Sequence, residues 1–341
     1  MTLVDPREKL LHKILIRSAV RPEWVDCMLV PNDNVAKNGN FIVASVKSLD
    51  IPGHSVTLSN GSVLHYDYCV IATGATSKAP VEPPLGATPH EYFNNVAYKI
   101  AHAKNIMLVG GGPVAIELAG EIKAKHPNIH VKVVSSASTL CSNMNFPEET
   151  SNKIVETLKG LGIQVVLNHT VDLGTHSIDS IIVHSPPRSY GDSVGDIDLV
   201  INCTGFIPNT RFLPLSILNS KGQVRVNEFL QVKDTVFAIG DCNDVNEAKN
   251  FVNVCGKDYM QGMPVGHSDI VAANIKALAA GGALTAYTPN KYVAGIIPCG
   301  PKASVTLGLP EEYGVYKSAA YFYQAQFSFA KAQKIPEAPA I

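Results

Sequence analysis

The stretch IMLVGGGPVAIELAGEI, Ile106 to Ile122, decides how this chain is read. Four apolar residues run into Gly110-x-Gly112-x-x-Ala115, after which Val114, Leu118 and Ile122 recur at helical spacing. A strand, a tight turn and a helix in this order predict a dinucleotide site. Gly110 permits the turn, Gly112 lets the backbone approach a pyrophosphate, and Ala115 allows close packing of helix on sheet. The helix start offers free N–H groups to negative charge, and Pro113 suits its first turn. A second apolar strand, Val131 to Val134, follows at the expected distance. Glycine turns are common, so an ordinary strand-turn-helix without a ligand is the alternative.

Working outward, two segments echo each other. DYCVIATG (67 to 74) and DLVINCTG (198 to 205) are both apolar strands closing on Thr-Gly, with Thr73 and Thr204 131 residues apart. A repeat this long predicts a duplicated domain, two dinucleotide folds in tandem, and not a solenoid. The second copy opens at Gly110. By the same interval the first copy's glycine turn would fall before Met1, so its opening strand, turn and helix are expected to be absent. Thr2 to Asp5 then reads as the first copy's second strand, with Asp5 where an acidic side chain accepts hydrogen bonds from a ribose. An edge strand of another fold is the alternative. Downstream, TVFAIGD (235 to 241) is an apolar strand ending on Gly240-Asp241, where α/β sheets bind ligands, or else a simple turn. Residues 262 to 268 lead into a predicted helix, Asp269 to Ala280, whose start is suited to an anionic ring.

Composition removes several classes of function. Lys and Arg number 28 against 29 Asp and Glu, a net charge of −1 without a basic run, so nucleic acid is not an expected partner. Seven cysteines, an odd number with no CxxC, suit a reducing compartment and argue against a disulfide framework or a metal site. MTLVDPREKL carries charge where a signal peptide needs an apolar core, and no apolar run is long enough to span a membrane. A cytoplasmic protein is expected, with peripheral membrane contact left open.

Taken in order, ATG (72 to 74), GGGPVAIELAGEI, CTG (203 to 205), RVNEFLQV (225 to 232) and VFAIGDCND (236 to 244) resemble the two-dinucleotide flavoprotein oxidoreductases. The likeness is greatest to the apoptosis-inducing-factor homologues of the ferroptosis-suppressor branch. It implies an α/β chain of tandem Rossmann-like FAD and NAD(P)H domains with a C-terminal α+β extension. The FAD domain would comprise residues 1–100 and 232–285, the NAD(P)H domain 101–231 and the extension 286–341. Proline-rich linkers at Lys78 to Pro84 and after Tyr287 agree. The resemblance further implies hydride transfer from NAD(P)H to FAD and electron delivery to a quinone.

Residue by residue, Asp241 matches the aspartate on the flavin's ribityl chain, and Thr73 and Gly74 match its strand-end flavin contact. Gly110, Gly112 and Ala115 match the NAD(P)H pyrophosphate loop, while Gly205 and Gly240 close the neighbouring strand-end motifs. Glu117 matches an acidic residue beside the nicotinamide, and Lys331 a C-terminal lysine near quinone and flavin; a solvated side chain is the alternative for both. Tyr321, Phe322, Tyr323, Phe327 and Phe329 line a quinone channel, touch a membrane surface or belong to the core. Ser135 and Ser136 follow the strand Val131 to Val134, where a carboxylate would select NAD and an arginine NADP; use of both nucleotides, or a mild NAD preference, is expected. A non-catalytic NAD(H)-binding protein acting through partners is the competing function. Reduction of a disulfide is disfavoured by the lack of CxxC.

Overall fold

The structure, a computed structural model, describes residues 1–11, 19–31, 39–144, 146–176, 179–247, 249, 265–289, 295–301 and 303–307. The chain forms two compact units. The first holds Met1–Pro6, Asn38–Thr76 and Phe206–Tyr292; the second holds Arg7–Lys37, Ser77–Gly205 and Val293–Ile341.

In the second unit the deciding stretch forms the strand Asn105–Val109 and the helix Pro113–Lys125. The strand is central in a five-stranded sheet ordered Gln164–Val166, His130–Val134, Asn105–Val109, Asp196–Asn202, Ile181–Ser189, parallel except for the last pairing. Its unbroken apolar run has a physical cause, because alternate side chains enter different cores. Ile106 and Leu108 pack with Ile116, Leu118, Val131 and Ile201, whereas Met107 and Val109 pack with Val134, Ile197 and Val200.

The entrance to this strand is closed by a carboxylate. Asp198 accepts from the Lys104 N–H at 2.8 Å and the Asn105 N–H at 2.9 Å. Asp198→Ala removes both acceptors from a half-buried corner and should cost about 2 kcal/mol. Urea denaturation checks this, with Asp198→Asn expected to recover part of the loss.

In the first unit, Thr2–Asp5 is a strand, as read from the sequence, and pairs in parallel with Asn40–Val43. Cys69–Ile71 pairs in parallel with Val236–Ala238, which pairs antiparallel with Gln231–Lys233. Val46–Asp50, Ser55–Leu58 and Val63–His65 make a separate antiparallel meander. Thr2–Asp5 with Asn40–Val43, and Cys69–Ile71 with its two partners, form separate sheets of two and three strands. The predicted helix runs from His267 to Ala279. It starts two residues before the predicted Asp269 because the Gly266 N–H donates to the Asp269 carboxylate at 2.8 Å, closing the first turn from behind. Its Ile270 and Val271 pack with Phe237 and Leu230, laying the helix against the Val236–Ala238 strand.

Of the extension, an antiparallel hairpin, Gly295–Pro298 with Ser304–Leu307, packs in the second unit on the helices Pro113–Lys125 and Glu148–Gly160. Lys331 and the aromatic residues from Tyr321 to Phe329 lie outside the described residues. Among the described residues no helix is long and apolar enough to cross a membrane, and no cluster of His, Cys, Asp or Glu would hold a metal.

Candidate functional site

The candidate glycine turns divide between the units, and in each unit they stand at the C-terminal ends of adjacent parallel strands; Asp5 ends a strand of a separate two-stranded sheet. In the second unit, Val109 is in register with Asn202, so Gly110 leaves its strand beside Cys203-Thr204-Gly205. The Cys203 N–H donates to the Val109 carbonyl at 2.8 Å, and the Gly110 N–H to the Val134 carbonyl at 2.8 Å. Gly110 has φ +123°, and a Cβ there would lie 2.6 Å from the Cys203 carbonyl oxygen. Only glycine satisfies both demands. Gly112 is different: a Cβ there would meet no protein atom within 4 Å.

Gly112 caps the helix with no side chain bonding to the first turn, Pro113 follows, and no acidic residue sits in that turn. The first turn thus has no capping side chain and no acidic residue of its own, which fits the pyrophosphate of a dinucleotide. Ala115 is fully buried. Glu117, one turn further on, is half-exposed.

Sequence reasoning missed the side chains that shape this edge. Asn202 is fully buried and accepts from the Thr204 N–H at 3.1 Å and the Thr204 hydroxyl at 2.6 Å, fixing the Thr-Gly turn. Ser135 is buried beneath the glycine turn, where a Cβ on Gly111 would lie 2.6 Å from its Oγ, while Ser136 is exposed. Two adjacent serines give no sequence signal of which one turns inward.

In the first unit, Ala238 is in register with Ile71, so Thr73-Gly74 and Gly240-Asp241 leave neighbouring strands together. The Cys242 thiol donates to the carbonyls of Ile239 and Ile71, at 3.1 and 3.4 Å, linking the two ends. Asn209, also missed, clamps the Thr-Gly turn. The Thr73 hydroxyl donates to the Asn209 carbonyl at 2.8 Å, Asn209 Nδ2 to the Thr73 carbonyl at 3.0 Å, and the Asn209 N–H to the Gly74 carbonyl at 3.0 Å. Gly74 and Gly240 take φ +61° and +71°. Asp5 ends its strand in register with Val43. An acid after Gly240 and a held Thr-Gly turn at one sheet edge fit the polyol and ring of a flavin nucleotide.

Burial holds the thiols around these sites protonated. Cys203 is pushed up to about 12 by burial, and Cys141 and Cys299 to about 12 by burial, with the Glu117 carboxylate adding to it. Native protein treated with a maleimide at pH 8 should therefore remain unlabelled at Cys141, Cys203 and Cys299. Peptide mass mapping reads the result.

Comparison with known proteins agrees with this geometry. The profile of the pyridine nucleotide-disulphide oxidoreductases matches residues 8–265. Apoptosis-inducing factor homolog B of Dictyostelium discoideum is 31% identical over 333 residues, covering 90% of this chain and 81% of that protein. Human ferroptosis suppressor protein 1 is 28% identical over 298 residues, covering 84% of this chain and 77% of its own. Among solved structures, NDH2 of Plasmodium falciparum in complex with NADH superposes with a TM-score of 0.66 at 16% identity, covering 96% of this chain and 89% of that one. The sulfide:quinone oxidoreductase of Aquifex aeolicus gives 0.67 at 16% identity, covering 99% and 86%. The matched segment enters both units, and the chain belongs to the pyridine nucleotide-disulphide oxidoreductase family, NAD(P)H oxidoreductases whose cofactors are FAD and NAD(P)H.

Proposed function

We propose that this chain is an NAD(P)H:quinone oxidoreductase. The observation that carries the reading is the repeated edge: in each unit two parallel strands end side by side on glycine turns, Gly110 with Gly205 and Gly74 with Gly240. The second unit binds NAD(P)H, its pyrophosphate on the first-turn N–H groups after Gly112, against Gly110, Ala115 and Gly205. The first unit holds FAD through Asp241, Gly240, Thr73 and Gly74, with Asp5 on a ribose. The proposed flavin domain, residues 1–100 and 232–285, the nucleotide domain, 101–231, and the extension, 286–341, follow the resemblance; the compact units draw the line elsewhere, with 7–37 and 77–100 in the second and 206–231 in the first. Bound FAD supplies the two-electron chemistry between nicotinamide and acceptor. Glu117 stands beside the nicotinamide, and Lys331 serves the acceptor end. Exposed, uncharged Ser136 neither repels a 2′-phosphate nor holds a 2′-hydroxyl as a carboxylate would, so both nucleotides are accepted. The quinone follows from the likeness to the ferroptosis-suppressor branch.

NADH oxidation by the purified protein, with and without a short-chain quinone, tests this. A quinone-dependent rate that Asp241→Ala removes is expected. NADH binding with no such rate would overturn the assignment and favour a non-catalytic nucleotide-binding protein, for which the glycine turn at Gly110 is sufficient. In both readings the deciding surface is the strand-end edge.

A further inference from the structure

Three separated segments of the first unit meet in a buried polar cluster that no part of the proposed reaction has used. The Gly240 N–H donates to His267 Nδ1 at 3.1 Å. A ring nitrogen that accepts carries no hydrogen, so Nε2 is the protonated one. Nε2 in turn faces Glu247 Oε1 at 2.7 Å. The Tyr287 hydroxyl donates to the same carboxylate, 2.8 Å from each oxygen. Its ring stands edge-on to the imidazole, with centroids 4.7 Å apart. The His267 and Glu247 side chains are 0% and 1% exposed.

The direction of these bonds is fixed. A hydrogen on Nδ1 would stand against the Gly240 N–H, donor against donor, so the ring accepts from the turn on one side and faces Glu247 with the other. Asn243 adds to the fit: its Nδ2 donates to the Ala238 carbonyl at 2.9 Å and lies 3.5 Å from His267 Nδ1. Lys249 supplies opposite charge. Burial lowers its amine, and the carboxylates of Glu247, Asp241 and Asp244 pull it back up. Capping the helix does not require this cluster, because Asp269 already receives the Gly266 N–H. Burying a carboxylate is costly, and what this one secures is the orientation of an imidazole whose other nitrogen holds the Gly240–Asp241 turn.

We infer that His267 is a positioning residue for the Gly240–Asp241 turn, itself oriented by Glu247 and Tyr287, and thereby presents Asp241 to the flavin. The inference deepens the proposed function and rests on its flavin reading. Nitrogen NMR of the full chain tests the geometry, and FAD titration followed by quenching of flavin fluorescence tests the consequence. Nδ1 of His267 should show the shift of an unprotonated nitrogen. His267→Leu should weaken FAD by about tenfold, the worth of one buried hydrogen bond. His267→Asn, whose Oδ1 can accept from the Gly240 N–H, should stay within about threefold of the unsubstituted chain. A protonated Nδ1, undiminished FAD affinity in a folded His267→Leu variant, or equal losses in the two variants would overturn the inference. If the unsubstituted chain takes up no FAD, the flavin reading fails by itself. The positioning role is then decided by hydrogen exchange at the Gly240 amide, faster in His267→Leu and not in His267→Asn. The tautomer measurement needs no variant, so it decides the matter even where a substitution prevents folding.

Discussion

Gly110→Val should weaken NADH binding by at least about 100-fold, equivalent to about 2.7 kcal/mol. A β-branched residue at φ +123° is strained in itself, and its Cβ would press on the Cys203 carbonyl, 2.6 Å from where that atom would sit. Neither obstacle can yield cheaply, because both are backbone held by the sheet. The turn must shift, and the helix start after Gly112 shifts with it. Gly112→Ala supplies the contrast. No protein atom lies within 4 Å of the new Cβ, so the substitution costs at most about 1 kcal/mol of stability as a cap change. It should still weaken NADH by about tenfold, since the methyl occupies the pyrophosphate's approach. Titration of NADH fluorescence with thermal unfolding as control separates the two. Equal NADH affinity in both variants and the parent would remove the second unit's assigned role.

Gly120→Ala should be the most destabilising single-methyl change in the described chain, costing about 3 kcal/mol or more. Gly120 is buried in the helix Pro113–Lys125, and its missing Cβ would lie 2.1 Å from the Cys299 carbonyl carbon and 2.3 Å from its oxygen. The hairpin Gly295–Pro298 with Ser304–Leu307 thus lies directly against helix backbone. Alanine elsewhere in a helix helps; here it separates two main chains. Urea denaturation, with proteolysis of the hairpin as a local probe, should show a lowered midpoint and earlier cleavage near Cys299. An unchanged midpoint would mean that the hairpin does not rest on this helix.

What the sequence made legible depended on local signals. The strand at Ile106 to Val109 could be read because burial on both faces makes every residue apolar, and the turn because Gly110 has a backbone reason to be glycine. The echo of DYCVIATG in DLVINCTG located the strand ends where Thr73-Gly74 and Thr204-Gly205 stand. Helix spacing placed the helix near Asp269, and only the Gly266 cap moved its start to His267.

Long-range pairings left no such trace. The Thr73 hydroxyl is held from 136 residues away by Asn209, and the buried Glu121 meets Arg21 100 residues off. In sequence His267 belongs to the segment leading into the helix, and its role shows only when Gly240 and Glu247 are seen on either side of its ring. Ser135 and Ser136 look alike in sequence, and the packing under Gly111 tells them apart. Local backbone demands reached the sequence, whereas partner choice across the fold did not.

The central claim is that a flavin and a nicotinamide nucleotide occupy the two strand-end edges of one redox chain. Visible absorption of the purified protein, followed by anaerobic addition of NADH, tests it most directly. The account predicts flavin bands at near-stoichiometric occupancy that bleach when NADH is added. A folded, colourless protein that binds NADH and takes up no added FAD would contradict it.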